Sequence, residues 1–417
     1  MTPSESYGGR AAVIGAGVVG MATALSLQRD GHRVTVFDPV PPGESCSSGN
    51  AGLFASYAVA PVQTPGIVWR VPGMLVDPLS PLALRWRYLP VLVPWLLRFV
   101  MASGQDRVEA ISKALAALLA DATSSWRVLI DEAGAGDLLR EGDILILFGA
   151  EKDWRGAQYL LDLRRRRGVA IEEIGVDEAH RLEPALAPVF KRAAVFPDNI
   201  WCVDPLALVR RLAARFVASG GVIEGARITG LDPRDGGGAN LHTDDGAHEA
   251  EIIAVCAGAW SKRLAAMLGC AVPLDTERGY HVMLEAPGGL LSRPVNWYGG
   301  GFYMTPMEGG LRCAGTVELG GLDAPPDPNR AAAIERQVRR ILPDAGPRQS
   351  EWLGFRPSMP DSMPVIGPAP GHPGIWFNFG HGHLGLTLAA VSGRIIADLA
   401  AGRTPGLDTG AYAASRF

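Results

Sequence analysis

The sequence predicts an α/β fold with two domains, one of which is built on a parallel sheet that binds a dinucleotide. A chain of 417 residues exceeds what one ordinary hydrophobic core accommodates. Its N-terminal segment runs strand, glycine turn, helix and strand, in the order of a β-α-β unit. Four later segments predict strands of an antiparallel sheet: Asp143–Phe148, Gly279–Glu285, Gly301–Pro306 and Leu311–Glu318.

The composition is that of a globular protein, with 47% apolar and 20% charged residues. A formal net charge of −4 gives no indication of a nucleic-acid partner, and the run Arg164–Arg167 is expected to be a solvated helix end. Five widely spaced cysteines without a C-x-x-C pair indicate neither a disulfide framework nor a metal site and fit a cytoplasmic protein.

The segment Tyr88–Met101 is strongly apolar but shorter than a spanning helix, and it contains Pro90, Pro94 and Arg98. We expect a helix on the surface of the second domain, either buried or in peripheral contact with the inner membrane.

The nucleotide-binding unit begins with the strand Arg10–Ile14. A glycine turn then opens a helix that runs to Arg29, and a second strand, Arg33–Phe37, ends on Asp38. In such a unit the glycines allow a tight turn, close approach of a pyrophosphate and close packing of helix on strand, while the acid accepts hydrogen bonds from ribose hydroxyls. The predicted cofactor contacts of this turn are Gly15, Ala16, Gly17, Val18, Val19 and Gly20.

The motif alone does not distinguish FAD from NAD. The loop Glu44–Gly52, which follows the acid, consists of small and polar residues that suit contact with a second pyrophosphate face and a flavin ring. Its predicted contacts are Ser47, Ser48, Gly49, Asn50, Ala51 and Gly52.

Three motifs carry a resemblance to a known family: GAGVVG at residues 15–20, SSGNAG at 47–52 and GFRPSMPDSMPVIGPAP at 354–370. With them the chain resembles the D-amino acid oxidase superfamily of flavoproteins, and within it the D-amino acid dehydrogenase branch that includes enzymes for D-proline and D-hydroxyproline. The resemblance implies FAD as cofactor. It also implies a Rossmann-type FAD-binding domain interleaved with an α+β substrate domain on a mixed or antiparallel sheet.

The interleaving predicts an FAD-binding domain from residues 1–80, 198–272 and 350–417, and a substrate domain from residues 81–197 and 273–349. Further elements of the FAD domain are a helix at Cys202–Gly220, strands at Val222–Ile228, Glu251–Cys256 and Gly374–Phe379, a hairpin tip at Gly236–Gly238 and a helix at Thr387–Ala401. The resemblance adds cofactor contacts at Ile228, Ala257, Gly258, Gly380, His381, Gly382, His383, Leu384, Gly385 and Leu386.

Arg356 is the predicted clamp for the substrate carboxylate, because a guanidinium binds a carboxylate through two parallel hydrogen bonds and the family's G-x-R-P arginine has this role. The alternative is a surface arginine or a structural arginine paired with Asp361. Tyr280 and Tyr303 are predicted pocket phenols, each with a packed sheet tyrosine as the alternative. His383 departs from the family, in which some oxidases carry arginine near this position. It is expected to shape the pocket, to tune the flavin potential or to contact a ring substituent of the substrate such as a hydroxyl, and no metal site is expected.

The predicted activity is FAD-dependent oxidation of a small amino acid, of the D-proline, D-hydroxyproline or D-alanine type, by hydride transfer from Cα to flavin N5 that gives an imino acid. Alternatives are a glycine or sarcosine oxidase of the same fold, or a non-catalytic flavin-bearing subunit. Either a quinone of the respiratory chain or O2 is expected as electron acceptor, and the sequence leaves the oligomeric state open.

Overall fold

The computed structural model of the protein describes residues 8–77 and 79–417. The strands in that part of the chain are, in chain order, β1 (Gly8–Ile14), β2 (His32–Phe37), β3 (Leu53–Phe54), β4 (Leu82–Leu84), β5 (Leu139–Phe148), β6 (Glu172–Ile174), β7 (Arg192–Cys202), β8 (Val222–Glu224), β9 (Ile228–Pro233), β10 (Ala239–Thr243), β11 (Ala247–Ala250), β12 (Ile252–Val255), β13 (Asp275–Leu284), β14 (Val295–Trp297), β15 (Phe302–Met307), β16 (Gly310–Leu319), β17 (Arg348–Ser358), β18 (Val365–Pro368) and β19 (Ile375–Phe379).

The α-helices of the same residues are α1 (Val18–Arg29), α2 (Ile67–Val76), α3 (Leu89–Met101), α4 (Gln105–Ala120), α5 (Ala122–Ala133), α6 (Glu151–Arg166), α7 (Val176–Leu182), α8 (Pro205–Ala218), α9 (Ser261–Met267), α10 (Pro328–Ile341) and α11 (Gly385–Ala400).

A six-stranded sheet carries the nucleotide-binding unit, in the order β18-β19-β12-β1-β2-β8. Its neighbouring strands are parallel except for β18 and β19. Successive residues of β1 point to opposite faces: Ala11 and Val13 join one hydrophobic cluster, and Ala12 and Ile14 join another. Both faces are therefore covered, as expected for a parallel sheet, and the predicted β-α-β unit is confirmed.

A second, ten-stranded sheet contains all four blocks that were predicted as antiparallel strands. Its main path is β17-β13-β16-β15-β14-β5-β7-β3, with β4 paired to β16 and β6 to β7. The pairings of β14 with β5 and of β16 with β4 are parallel, and the others are antiparallel, which confirms the predicted mixed sheet. A small antiparallel sheet of β9, β10 and β11 has its predicted hairpin tip at Gly236–Gly238.

Two predicted elements of the central segment have the wrong extent. The helix predicted from Cys202 begins at Pro205, because Cys202 still pairs in β7 and the carboxylate of Asp204 caps the helix by accepting from the backbone N–H of Ala207 at 3.0 Å. The strand predicted at Val222–Ile228 is two strands, since β8 joins the parallel sheet and Ile228 begins β9 in the small sheet.

We propose a modest shift of the domain boundaries given by the sequence. The predicted limits between residues 197 and 198 and between 349 and 350 fall inside β7 and β17, and both strands pair along their length within the ten-stranded sheet. The proposed substrate domain therefore includes both strands entirely.

Among the described residues, one helical segment is long and apolar enough to cross a membrane, Gly382–Ala400, and 67% of its apolar window is buried within the fold. Helix α3, predicted at Tyr88–Met101, buries Leu92 and Trp95 but leaves the side chains of Leu97 and Met101 exposed.

Candidate active site

The turn between β1 and α1 has the geometry of a phosphate-binding loop. A Cβ atom added to Gly20 would lie 1.8 Å from the carbonyl oxygen of Gly15, so only glycine allows the helix to pass this close to the turn. A Cβ atom added to Gly17 would meet nothing in the described part of the chain nearer than Oγ of Ser47, at 3.4 Å. The backbone at Gly17 is thus open to a ligand at the N-terminus of α1.

Asp38 lies at the end of β2, on the wall of the same cavity. Its Oδ2 accepts a hydrogen bond from the backbone N–H of Ala16 at 2.7 Å, and its Oδ1 accepts from that of Val40 at 2.9 Å. Burial raises the pKa of this carboxyl above its usual 3.8, and the two backbone donors oppose that shift. Each oxygen keeps a lone pair for a ribose hydroxyl.

The loop at residues 44–52 is held by hydrogen bonds to two elements, helix α1 and strand β16. Oγ of Ser47 accepts from the backbone N–H of Val18 at 3.0 Å, which joins the loop to the start of α1. Nη1 of Arg312, on β16, donates to the carbonyl oxygens of Ser48 at 2.9 Å and Asn50 at 2.7 Å. The loop is therefore positioned before any ligand binds.

Trp352 braces this loop from the substrate sheet and was not predicted. A Cβ atom added to Gly49 would lie 2.2 Å from the Trp352 ring, which excludes any larger residue. His281, on the neighbouring strand, stacks on Trp352 with ring centroids 5.2 Å apart, and its Nδ1 lies 3.1 Å from the carbonyl oxygen of Gly49. Burial, with Arg312 nearby, lowers the pKa of His281 to about 4.

One cavity of about 880 Å³ joins the glycine turn to the substrate sheet. The predicted residues that line it are Gly15, Gly17, Val18, Val19, Asp38, Ser47, Gly49, Asn50, Ala51, Ile228, Ala257, Gly258, Tyr280, Tyr303, Arg356, His381, Gly382, His383, Gly385 and Leu386. The predicted residues outside its lining are Ala16, Gly20, Ser48, Gly52, Gly380 and Leu384.

Arg356 lies in the cavity and is held by backbone oxygens. Its Nη1 donates to the carbonyl of Thr316 at 2.7 Å and its Nη2 to that of Gly315 at 3.1 Å. Thr316 has a φ of 58°, a strained value for a β-branched residue, and the register between β13 and β16 shifts at this point. The bulge turns the carbonyl of Thr316 towards the guanidinium. Burial lowers the pKa of Arg356, and the nearby Glu277 opposes that shift.

The ring of Tyr280 lines the cavity, but its hydroxyl is engaged elsewhere. It donates to Oε2 of Glu318 at 2.6 Å and accepts from the backbone N–H of Asp327 at 2.9 Å. Nε of Arg278 donates to the same carboxylate oxygen at 2.8 Å, and both partners of this ion pair are fully buried. The hydroxyl therefore uses both its proton and a lone pair within the protein. Of the two predicted pocket phenols, Tyr280 is the one less able to bind a ligand.

Tyr303 forms a phenol pair with Tyr57, a residue that sequence reasoning missed. The Tyr57 hydroxyl donates to the Tyr303 oxygen at 3.0 Å, and burial raises the pKa of both groups. No acceptor for the Tyr303 hydroxyl proton occurs among residues 8–77 and 79–417, so this proton is available to a ligand in the cavity.

The two histidines of the C-terminal loop have different environments. The ring of His383 is open to the cavity, and its pKa is lowered to about 4 by burial and by Arg356 and Arg164. The Nε2 atom of His381 lies 3.2 Å from Oγ of Ser392 on α11, and burial lowers its pKa to about 3. Within the described chain no three His, Cys, Asp or Glu side chains are grouped as metal ligands.

The expectation that Arg164–Arg167 is a solvated helix end is wrong for Arg164. Arg165 and Arg166 do form ion pairs near the surface, with Glu173 and Glu109. Each residue of a helix is rotated by about 100° from the previous one, so neighbouring arginines point in different directions. Arg164 points into the cavity, where its Nε donates to the carbonyl of Tyr57 at 3.3 Å.

These features fit an FAD molecule that extends from the glycine turn to the substrate sheet. The open face of Gly17, the carboxylate of Asp38 and the braced loop at residues 44–52 suit its pyrophosphate and ribose groups. Arg356, Tyr303 and His383 line another part of the same cavity, where the flavin and the substrate would meet.

Comparison with known proteins agrees with this arrangement. Residues 10–399 match the model of the DAO family, described as FAD dependent oxidoreductase. The chain is 38% identical to a D-amino-acid oxidase of Bradyrhizobium diazoefficiens, over 98% of this chain and 99% of that protein. It is 31% identical to D-amino acid dehydrogenase 2 of Ralstonia nicotianae, over 97% of this chain and 99% of that protein.

Solved structures share the fold. Glycine oxidase from Geobacillus kaustophilus superposes with a TM-score of 0.74 and 24% sequence identity, over 98% of this chain and 100% of that chain. Iminodiacetate oxidase from Chelativorans sp. superposes with a TM-score of 0.73 and 22% identity, over 97% of this chain and 98% of that one.

Proposed function

The chain belongs to the DAO family of FAD-dependent oxidoreductases, and on that basis we propose that it oxidises a D-amino acid to the corresponding imino acid. Its relatives named D-amino-acid oxidase and D-amino acid dehydrogenase 2 support a D-amino acid as the substrate class.

One observation carries the proposal: the cavity that begins at the dinucleotide turn also contains a partly buried guanidinium, that of Arg356. The N–H groups of Arg356 that are not used by backbone oxygens can bind a carboxylate through charge-assisted hydrogen bonds. An amino acid held in this way has its Cα fixed relative to the cofactor.

When bound, FAD supplies the acceptor for the hydride that leaves Cα. The residues of the chain then act chiefly by positioning, because a misaligned substrate loses most of the rate. Arg356 orients the carboxylate, and His383 stays neutral and adds no positive charge beside the amine. Trp352 and the loop it braces keep that side of the cavity rigid.

Anaerobic bleaching of the bound flavin tests this proposal. The panel contains D- and L-alanine, D- and L-proline, D- and L-aspartate, D- and L-glutamate, the 4-hydroxyproline isomers, glycine and sarcosine. We expect bleaching by D-isomers and none by the L-isomers. Bleaching by glycine or sarcosine alone would replace the proposal with an N-alkyl amine oxidase, and a yellow protein that nothing bleaches would indicate a non-catalytic flavin subunit.

We further propose that the electron acceptor is a membrane quinone. The side chains of Trp69 and Val76 on α2 and of Leu97 and Met101 on α3 are exposed. Other residues of the same helices line the cavity: Ile67, Val71, Met74, Trp95, Leu96 and Phe99. Arg87 and Arg98 are exposed just before and within α3, and residues 78–105 contain no aspartate or glutamate, which favours an anionic lipid surface.

Sedimentation with vesicles tests the membrane contact. We expect the protein to bind vesicles that contain anionic lipid, and Leu97→Ser together with Met101→Ser to reduce binding severalfold, because lost apolar burial weakens interfacial binding. Val217→Ser, at an exposed position on α8, is the control. Equal sedimentation of all three proteins would contradict a membrane-bound acceptor.

A further inference from the structure

Arg164 is an enclosed guanidinium for which the proposed reaction has no use. It occupies the last turn of α6 and points into the cavity, with its Cζ atom 5.7 Å from the ring centroid of Phe196. Its side chain makes one hydrogen bond to the described residues, from Nε to the carbonyl of Tyr57.

The charge of Arg164 has no anionic partner in the described chain. No carboxylate lies within 4.0 Å of its nitrogens there, in contrast to Arg165, Arg166 and Arg167 of the same helix end, each of which has at least one. Its two terminal nitrogens donate to none of the described residues, and they are not sealed off from the cavity. An enclosed charge without a partner is costly, so such a group is typical of a site that an anion completes.

The surroundings of Arg164 supply the rest of an anion site. Tyr303 and Tyr57 are close enough to Arg164 to affect the pKa of its guanidinium. The proton of the Tyr303 hydroxyl has no acceptor among the described residues. A guanidinium fork together with a phenol provides several hydrogen bonds to one carboxylate.

Arg164 and Arg356 are two separate cationic groups of one cavity. Arg356 is anchored on β16 through the carbonyls of Gly315 and Thr316, whereas Arg164 extends from α6 beside Tyr57. His383 lines the same cavity, and burial together with both arginines lowers its pKa. A substrate with a single carboxylate leaves one of the two guanidinium groups unpaired.

We propose that Arg164 binds a second carboxylate of the substrate, so that the preferred substrates are dicarboxylic D-amino acids such as D-aspartate and D-glutamate. This inference rests on the proposed function and narrows its substrate class. The α-carboxylate pairs with Arg356 and the side-chain carboxylate with Arg164 and Tyr303.

The first test compares each acidic amino acid with its amide in the wild-type holoenzyme. Glutamate and glutamine differ little in size, so the ratio of their kcat/KM values isolates the second charge. We expect D-glutamate over D-glutamine, or D-aspartate over D-asparagine, to be favoured about 100-fold, as for a hydrogen-bonded ion pair inside a protein. Equal kcat/KM values for both acid and amide pairs would overturn the inference, whatever the variants do.

The second test replaces the guanidinium. Arg164→Gln is expected to remove most of the preference for the acid while D-alanine oxidation changes by less than about threefold. Arg165→Gln, on the exposed side of the same helix end, is the matched control and should behave as wild type. An equal loss for D-glutamate and D-alanine in Arg164→Gln would instead assign Arg164 to the α-carboxylate or to the architecture.

A binding measurement separates failure of this inference from failure of the proposed function. Calorimetry of the wild-type holoenzyme with glutarate and with butyrate needs no turnover. Tighter binding of glutarate, lost in Arg164→Gln, supports the two-anion site even if no D-amino acid is oxidised. Equal binding of the two acids overturns it even if D-alanine is a good substrate.

Discussion

Arg356 keeps its position through backbone oxygens of β16, and this leaves its charge available to a ligand. The carbonyls of Gly315 and Thr316 accept from two of its N–H groups, while the carboxylate of Glu277 is close enough to affect its charge. Its planar fork is therefore fixed in orientation before a substrate binds, which a flexible ammonium group cannot reproduce.

Arg356→Lys is expected to retain FAD and to raise the KM for the substrate on the order of 100-fold, because a point charge replaces the fork. Steady-state kinetics and the flavin absorbance of the purified variant measure the two effects. Arg348→Lys, an exposed position on the same strand, serves as the control. An unchanged KM would remove Arg356 from the carboxylate site.

The two predicted tyrosines are expected to respond differently to loss of the hydroxyl. Tyr280→Phe removes one hydrogen-bond donor from a buried oxygen of Glu318. We therefore expect the free energy of unfolding to fall by about 1–2 kcal/mol and the KM to stay unchanged. Tyr303→Phe should raise the KM with a smaller effect on stability. Urea denaturation and kinetics of both variants check this, and a raised KM in Tyr280→Phe would return its hydroxyl to the substrate.

Buried neutral histidine makes stability depend on pH. The pKa of His281 is about 4 in the folded protein and 6.5 without its environment, so between these values the unfolded chain binds a proton that the folded chain rejects. The contribution of neutral His281 to the free energy of unfolding is present above pH 6.5 and is lost as the pH falls towards 4. The loss between pH 7 and pH 5 is about 2 kcal/mol.

We expect His281→Asn to lose less stability than wild type between pH 7 and pH 5, as measured by urea denaturation at both pH values. The difference between the two proteins cancels the contributions of other titrating groups, including His381 and Glu277. The same pH dependence in both would show that His281 titrates normally in the folded state.

Sequence reasoning identified residues within motifs and missed residues that only the fold brings to the site. Arg356 and His383 lie in glycine-rich segments with a known pattern, and both line the cavity. Arg164 lies in a run of charges that is typical of solvated helices, and only the rotation of α6 distinguishes it from Arg165. Tyr57 follows a two-residue strand, and no local pattern marks it.

At the scale of an element, the β1–α1 turn separates two roles of glycine. Gly17→Val places its side chain in the open space beside the turn, so we expect a folded protein that fails to retain FAD. Gly20→Val pushes α1 away from the carbonyl of Gly15, so we expect it to impair folding itself.

Circular dichroism and the flavin content of the purified variants distinguish these outcomes. A fully yellow Gly17→Val protein would contradict the phosphate-loop assignment. Native-like stability of Gly20→Val would contradict the close packing of α1 on the turn.

The elements that were predicted well are those with a single hydrophobic period or a single capping pattern over their whole length. The β-α-β unit and the four blocks of the substrate sheet are examples. One strand was predicted at Val222–Ile228 because the apolar pattern does not show where a strand ends. The first strand ends before Gly225, and Ile228 belongs to a different sheet. The helix at Cys202 was extended too far because its N-terminal cap, Asp204, was not used as the boundary.

For the whole molecule, the class of each sheet was predictable but the strand order was not. Alternation indicates an antiparallel strand and continuous burial a parallel one, yet neither pattern names the partner strand. Strands β14 and β5 pair in parallel inside a mostly antiparallel sheet. They are far apart in the sequence, and no local pattern encodes such a pairing. The interleaving of the two domains came from family resemblance alone.

The order of the parallel sheet also has a consequence for synthesis of the protein. The central strand β1 is made first, yet Ala11 pairs with Ile252, and β12 in turn pairs with β19 through Ile253 and Ile375. On the ribosome, β1 and its glycine turn therefore have only β2 as a paired strand until more than half of the chain has been made, because β8 pairs with β2 and not with β1. FAD accordingly meets a complete binding site only when nearly the whole chain has been translated.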